Sequence, residues 1–340
     1  MTSTILITGG LGYIGSHACV AIAAAGYEVV ILDNNSTSKP RALHRLAKVL
    51  NFYPKLIQGD IRDRALLDRV FAENAIAAVM HFAGLKDAAE STFQPLTYFE
   101  TNVQGSLNLL RAMQHAGVRN IVFSSSAAVY GEPRHVPIGE ESERLPTTPY
   151  GRSKLFVEEI LHDVFRAEPG WSIARLRYFN PAGAHTSGLI GDDPRNSPSN
   201  LMPRIAEVAS GLRPCIEVYG NDYATVDGTG LRDYVHVMDL ADGHVAALRQ
   251  CLAERRLLTL NLGSGSGYTV MQVVRAFETV CARPIPVNFL PRRQGDVSHC
   301  WADITAATNI LAWRPTRDLF SMCNDTWRWQ VNPENITAEP

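Results

Sequence analysis

The sequence predicts a doubly wound α/β fold: a parallel sheet with helices on both faces, followed by a smaller C-terminal α/β lobe. Three observations carry this. Short apolar runs of strand character lie at 4–8, 28–32, 55–58, 77–82, 120–124 and 172–177. Helix-length segments at 13–25, 39–50, 64–72, 92–115 and 150–166 separate them. A glycine-rich turn joins the first run to the first segment. Parallel strands need a crossover of about a dozen residues or more, usually a helix, and such helices cover both faces of the sheet.

Beyond residue 180 the alternation breaks. Stretches 185–200 and 220–230 are rich in Gly, Pro, Ser and Asp, a loop composition. Helices are expected at 202–210, 238–252 and 270–280, with a strand at 258–262. The chain thus divides into 1–180 and 181–340, interleaved in part by chain crossings.

Charge and composition exclude several functions. Lys+Arg number 32 and Asp+Glu 34, leaving −2 over 340 residues with no block of like charge. That argues against a nucleic-acid or membrane-surface binder working by bulk electrostatics. The longest apolar stretch, near 18–27, is shorter than the ~20 residues of a membrane span. The first residues run straight into a strand, so no signal peptide and a cytoplasmic location are expected. Six cysteines form no C-x-x-C pair, and neither a metal site nor a disulfide framework is expected.

The turn between the first strand and helix reads Gly9-x-x-Gly12-x-x-Gly15. Glycines let a backbone turn tightly and approach a pyrophosphate, while a helix N-terminus offers free N–H groups and partial positive charge. Asp33 ends the second strand 18 residues after Gly15, where a carboxylate accepts from ribose hydroxyls and repels a 2′-phosphate. Asn34 and Asn35 follow in place of arginine, so NAD is expected rather than NADP. Asp60 and Ile61, after the third strand, are candidates to hold the adenine.

Tyr150 and Lys154 are spaced i, i+4 at the start of a helix and so share one face. A phenol near pKa 10 is a poor base at neutral pH; a neighbouring cation favours phenolate and lowers that value. Ser126 closes the preceding strand in the run from Ser124, at the carboxyl edge where doubly wound sheets bind ligands. Its hydroxyl can share a proton with the phenol and a substrate oxygen. His81-Phe82-Ala83-Gly84-Leu85-Lys86 reaches the same edge, with small residues for close approach and Lys86 for a phosphate or ribose.

With the glycine turn, Ser126 and Tyr150-x-x-x-Lys154 together, the sequence resembles the extended short-chain dehydrogenase/reductase family. Further strings narrow the resemblance to its UDP-sugar 4-epimerase branch: the run 81–86, Ser124 to Gly131, Arg177-Tyr178-Phe179-Asn180, Gly220 to Tyr223, Gly228 to His244, and Trp301-Ala302-Asp303. The similarity runs from about residue 4 to 330.

The resemblance implies a Rossmann NAD-binding domain over 1–180 and a UDP-sugar-binding lobe over 181–340. It implies UDP-glucose and UDP-galactose as substrates, interconverted by transient oxidation at C4, and a homodimer. Tyr150 takes the 4-hydroxyl proton, Lys154 lowers its pKa and holds the nicotinamide ribose, and Ser126 positions the 4-oxygen. Cofactor contacts are implied for Tyr13 and Ile14, for Ser36, Thr37 and Ser38 beside Asn34 and Asn35, for Phe82, Ala83 and Gly84, and for Thr101, Ser124, Tyr178 and Phe179. Substrate contacts are implied for Lys86, Asn180, Asn200 and Leu201. Arg232 and Arg293 would meet the diphosphate, Asp296 the ribose, and Glu217, Val218 and Tyr219 the uracil.

Two positions depart from the family pattern. Thr101 replaces a usual asparagine near the cofactor. Cys300 stands where many bacterial members have tyrosine bordering the sugar 2-position, and the smaller side chain opens volume for an N-acetyl group. UDP-N-acetylhexosamines are therefore expected as additional substrates, against the plainer reading of a core cysteine. Two rival functions remain. A nucleotide-sugar 4,6-dehydratase needs an Asp-Glu pair after the serine run, where this chain has Ala127-Ala128; a non-catalytic NAD-binding regulator would not need Ser126, Tyr150 and Lys154 complete.

Overall fold

The computed structural model describes residues 2–195, 198, 200–293 and 296–336. Its centre is a seven-stranded sheet: β1 (Thr4–Thr8), β2 (Glu28–Asp33), β3 (Lys55–Gln58), β4 (Ile76–His81), β5 (Asn120–Ser126), β6 (Ser172–Tyr178) and β7 (Leu257–Leu262). The spatial order is β7-β6-β5-β4-β1-β2-β3, every pair parallel. Order reverses between β1 and β4, the switch point at which such sheets bind ligands beyond their carboxyl ends.

Both sheet faces are buried, as the near-continuous apolar runs require. Ile5, Ile7 and Ile31 pack into one core; Leu6, Val30 and Leu32, their neighbours in sequence, pack into the other. The crossovers include α1 (Tyr13–Ala24), α2 (Ala42–Leu50), α3 (Arg64–Glu73), α4 (Gly105–Ala116) and α5 (Pro149–Ala167). The strand expected at 258–262 lies in this main sheet, at its edge beside β6, because Leu258, Leu260 and Leu262 all find the apolar core there.

The helix expected over 92–115 is present from Pro95 to Ala116, but it starts afresh at the proline and is not regular throughout. Helix Ala88–Phe93 ends, Pro95 starts a new turn to Tyr98, and Phe99–Gln104 is π-helical before α4 begins. Proline lacks the N–H needed inside a helix and clashes with the preceding turn, so it opens the second piece instead. The π-helical turn has a consequence at the site, because it carries Asn102.

The C-terminal half adds α6 (Leu201–Ala209), α7 (Val237–Ala253), α8 (Val270–Cys281) and α9 (Leu319–Gln330). Helix α8 opens on a reciprocal cap between Thr269 and Gln272. Helices α6, α8 and α9 enclose a third core around Met202, Ile205, Val218, Phe277 and Cys323. Helix α9 was not expected from the sequence. Short strands fasten this half together: Asn180–Ala182 with Tyr234–His236, Ile216–Tyr219 with Val287–Leu290, and Leu231–Arg232 between Tyr268–Thr269 and His299–Cys300. No helix among the described residues is long and apolar enough to cross a membrane.

Candidate functional site

The glycine turn sits at the switch point, between the end of β1 and α1. Gly9 has φ +71°, and a Cβ there would lie 2.7 Å from the Ala83 nitrogen. A Cβ on Gly15 would lie 2.1 Å from the Gly9 carbonyl. Packing within the protein therefore demands both glycines. Gly12 is different: its φ is −73°, and its Cβ would meet nothing nearer than 3.4 Å. It caps α1 with no side-chain hydrogen bond and borders the cleft. A bare backbone that the protein itself does not require is what a closely approaching pyrophosphate needs, so the cradle fits a dinucleotide.

Asp33, at the end of β2, is buried. It accepts from the Leu11 N–H at 3.0 Å, the Asn35 N–H at 2.8 Å and the Ser38 hydroxyl at 3.4 Å. Asn35 and Ser38, expected to touch the cofactor, are not among the residues lining the cleft; they hold the carboxylate from the loop side. Asp60 and Ile61 do line it. Arg62 holds the Asp60 carboxyl with paired guanidinium bonds and pushes it down to about 2, assisted by Asn34 at 2.8 Å.

From this cradle an open cleft of about 1460 Å³ runs along the carboxyl edge of the sheet. Every other expected cofactor contact lies on it, from Tyr13, Ile14, Ser36 and Thr37 through Phe82, Ala83, Gly84 and Lys86 to Thr101, Ser124, Tyr178 and Phe179. Residues 84–86 are shaped by Asn102, which the sequence reading missed. Its side chain accepts from the Leu85 N–H at 2.8 Å, and donates to the Leu85 carbonyl at 3.0 Å and the Ser153 hydroxyl at 2.9 Å. The signal available was an asparagine inside a helical pattern, a residue type that competes with helix hydrogen bonding.

Ser126, Tyr150 and Lys154 also line this cleft. Thr148 caps α5 by accepting from the Gly151 N–H, which fixes where the helix begins and presents Tyr150 in its first turn. Lys154 Nζ donates to the Ser124 carbonyl at 2.8 Å and lies 6.0 Å from the centre of the Tyr150 ring. Burial lowers the Lys154 pKa to about 8. The expected fall in the Tyr150 pKa is not the net outcome: burial raises it, and the hydrogen bond with Ser126 opposes the rise only in part. Desolvation outweighs a single hydroxyl.

A second cleft, about 1040 Å³, opens among the C-terminal elements and meets the first at Asn180, Pro181 and Asn200. Leu201, Glu217, Val218, Tyr219, Arg232, Arg293 and Asp296 line it as expected. Arg232 donates to the Val297 carbonyl at 2.7 Å and stands 3.7 Å from Asp296; the Arg293 guanidinium lies 3.6 Å above the Tyr219 ring centre. Tyr223 also lines this cleft, and its buried hydroxyl has no hydrogen-bond partner among the described residues. Its string, 220–223, belongs to the family resemblance, which by itself assigns Tyr223 no contact. Cys300 lines neither cleft. It pairs with Arg232 in a short strand and packs on the apolar cluster of Val129, Tyr130, Ile138, Phe179 and Ala302, so it stands behind the wall rather than on it.

The sequence profile of the NAD dependent epimerase/dehydratase family matches residues 5–263. A UDP-glucose 4-epimerase of Yersinia pestis is 52% identical over 332 residues, covering 97% of this chain and 98% of its own. The crystal structure of a UDP-glucose 4-epimerase from Stenotrophomonas maltophila, with bound NAD and formylated UDP-arabinopyranose, superposes with TM-score 0.95 at 48% identity, covering 96% of this chain and 98% of that one. That of Bifidobacterium longum, with NAD+ and UDP, gives 0.94 at 46%, covering 98% and 99%.

Proposed function

The chain belongs to the NAD dependent epimerase/dehydratase family, and from that premise we propose that it interconverts UDP-glucose and UDP-galactose at C4. The single observation that carries the reading is the meeting of the two clefts: Tyr150, Lys154 and Ser126 line the one, and Asn180, Pro181 and Asn200 join it to the other. A dinucleotide and a nucleotide-sugar laid in the two clefts bring a nicotinamide and a hexose to that junction.

Bound along Gly12, Tyr13, Asp33 and Asp60, NAD would supply a hydride acceptor for C4 and a hydride donor for the return step. The protein's own part is acid–base and positional. Tyr150, as phenolate, accepts the 4-hydroxyl proton while C4 is oxidised to a ketone, and gives it back when C4 is reduced on the other face. The Ser126 hydroxyl opposes the burial that disfavours that phenolate, and the Lys154 ammonium nearby favours it. Arg232, Arg293 and Asp296 hold the nucleotide remote from C4, which leaves the hexose free to present either face. Ala127 and Ala128 sit in the turn after Ser126 and offer no acid or base for a dehydration.

The reading includes NAD held by 1–180 and UDP by 181–340, a cytoplasmic location, and acceptance of UDP-N-acetylhexosamines, with the small Cys300 side chain letting the wall in front of it yield. It also includes a homodimer. Phe93 and Leu96 are 85% and 75% exposed, with Phe156 of α5 half-exposed near them in the fold and stacked on Phe99. An apolar strip of this kind across three neighbouring helical segments suits a partner copy.

Incubating the protein with UDP-galactose, without added NAD, is expected to yield UDP-glucose at equilibrium, and Tyr150→Phe to lower that rate by about 10²–10⁴-fold. A 4-keto-6-deoxy product, or a Tyr150→Phe variant of unchanged rate, overturns the proposal.

A further inference from the structure

We propose that Asp193 is a cofactor-retention residue: it fastens residues 189–195 as a strap across the mouth of the dinucleotide cradle. The inference rests on NAD as the resident cofactor. Residues 189–194 form the outer wall of a cavity whose inner wall is Gly12, Tyr13 and Thr37, residues that also line the main cleft. The strap therefore lies over the G-x-x-G-x-x-G turn from outside.

It is tied down on both sides. On the β2 side, the Asp193 carboxylate accepts from three cations: Lys39 Nζ at 2.5 Å, Arg41 at 3.1 and 2.9 Å, and Arg45 at 3.3 Å. The Arg195 N–H and guanidinium donate to the Thr37 and Ser38 carbonyls, each at 3.1 Å. On the β4 side, Asp192 stands 3.7 Å from Lys86 and accepts from Asn200 at 2.8 Å. The strap thus bridges the two loops that flank the pyrophosphate turn.

The Asp193 anchor is sheltered. Its side chain is 22% exposed and that of Arg45 only 6%, so water and salt weaken the cluster less than they weaken a surface pair. Three donors share one carboxylate, so losing one of them weakens the anchor and losing the carboxylate removes all three bonds at once. A catalyst that regenerates its cofactor in every cycle has no need to exchange it. Thr37 lines both the cradle and the cavity under the strap, so on this proposal a dinucleotide leaving on that side waits for the Asp193 cluster to open.

The test measures NAD release directly from the holoenzyme, by transfer of bound NAD to an excess of a dehydrogenase that traps it. Asp193→Asn is expected to release NAD about tenfold faster or more, the scale of one charge-assisted interaction. Salt should accelerate release from the wild type and have little effect on the variant. Arg41→Gln should accelerate release alone and add little on top of Asp193→Asn. Equal release from wild type and Asp193→Asn, or full additivity of the two substitutions, overturns the proposal. If Asp193→Asn does not fold, Arg41→Gln and Lys39→Met carry the same comparison, because each loosens the anchor from a half-buried position and leaves the carboxylate its other donors. A wild type that binds no NAD defeats the cofactor reading instead, which keeps the two failures apart.

Discussion

Glu158 and Arg177 form a doubly hydrogen-bonded ion pair, at 2.9 and 2.6 Å, with both side chains out of water. Glu158 stands one helical turn beyond Lys154 on α5, and Arg177 lies on β6. The Ser125 hydroxyl completes the carboxylate at 2.5 Å, and Arg177 donates onward to Tyr130 at 2.9 Å. The helix that bears Tyr150 and Lys154 is thus pinned to the sheet through the middle residue of the serine run, leaving Ser124 and Ser126 to the cleft.

Breaking that pair leaves Arg177 buried and uncompensated. Glu158→Gln is expected to cost about 3–5 kcal/mol at pH 7 by chemical denaturation. Burial raises the Glu158 pKa, but the bonds and charge of Arg177 outweigh it and the net shift is downward. A depressed carboxyl pKa contributes stability above the unfolded value that is lost as pH falls through the folded one. The gap between wild type and variant should therefore narrow below about pH 4. A variant as stable as wild type at neutral pH defeats this account.

Lys154 gives the opposite pH dependence. Burial lowers its pKa to about 8, so between that value and the unfolded ~10.4 the unfolded chain binds more protons and stability rises with pH. Below pH 8 the buried charge is a fixed cost of roughly 3 kcal/mol, at 1.36 kcal/mol per pKa unit. Lys154→Met should gain most relative to wild type near pH 7 and lose that relative gain by pH 10. Melting curves of the two proteins at both pH values measure it; a difference independent of pH refutes the shift.

Gly12 and Gly15 should separate binding from folding. Gly12→Ala meets no protein atom closer than 3.4 Å, so the fold should persist while NAD affinity falls about tenfold or more, some 1.4 kcal/mol. Gly15→Ala places its Cβ 2.1 Å from the Gly9 carbonyl and should destabilise by about 1–3 kcal/mol. Titration calorimetry and denaturation distinguish the two. Unchanged NAD binding in Gly12→Ala removes the argument for close backbone approach.

Cys300→Tyr should abolish turnover of UDP-N-acetylglucosamine and spare UDP-glucose. Cys300 backs the strand of Arg232 and the cluster of Phe179, so a phenol there enlarges the wall from behind. Steady-state rates on both sugars decide it: equal loss on both, or no change, shows a cysteine that serves only packing.

The sequence by itself determined the alternation of strands and helices, because fully buried parallel strands must be apolar throughout and their crossovers must be long. It also determined the chemistry at Gly9-x-x-Gly12-x-x-Gly15 and Tyr150-x-x-x-Lys154, since spacing on one turn or one helix face is a local property. What joins distant segments was not legible there. The π-helical turn that carries Asn102 and its bond to Leu85, the pairing of Asp193 with Lys39, Arg41 and Arg45, and the retreat of Cys300 behind its wall each depend on contacts between residues far apart in the chain. The direction of the Tyr150 shift was decided in the same way. Spacing alone promised a cation nearby; only the tertiary structure set how much water the phenol loses, and that loss was the larger effect.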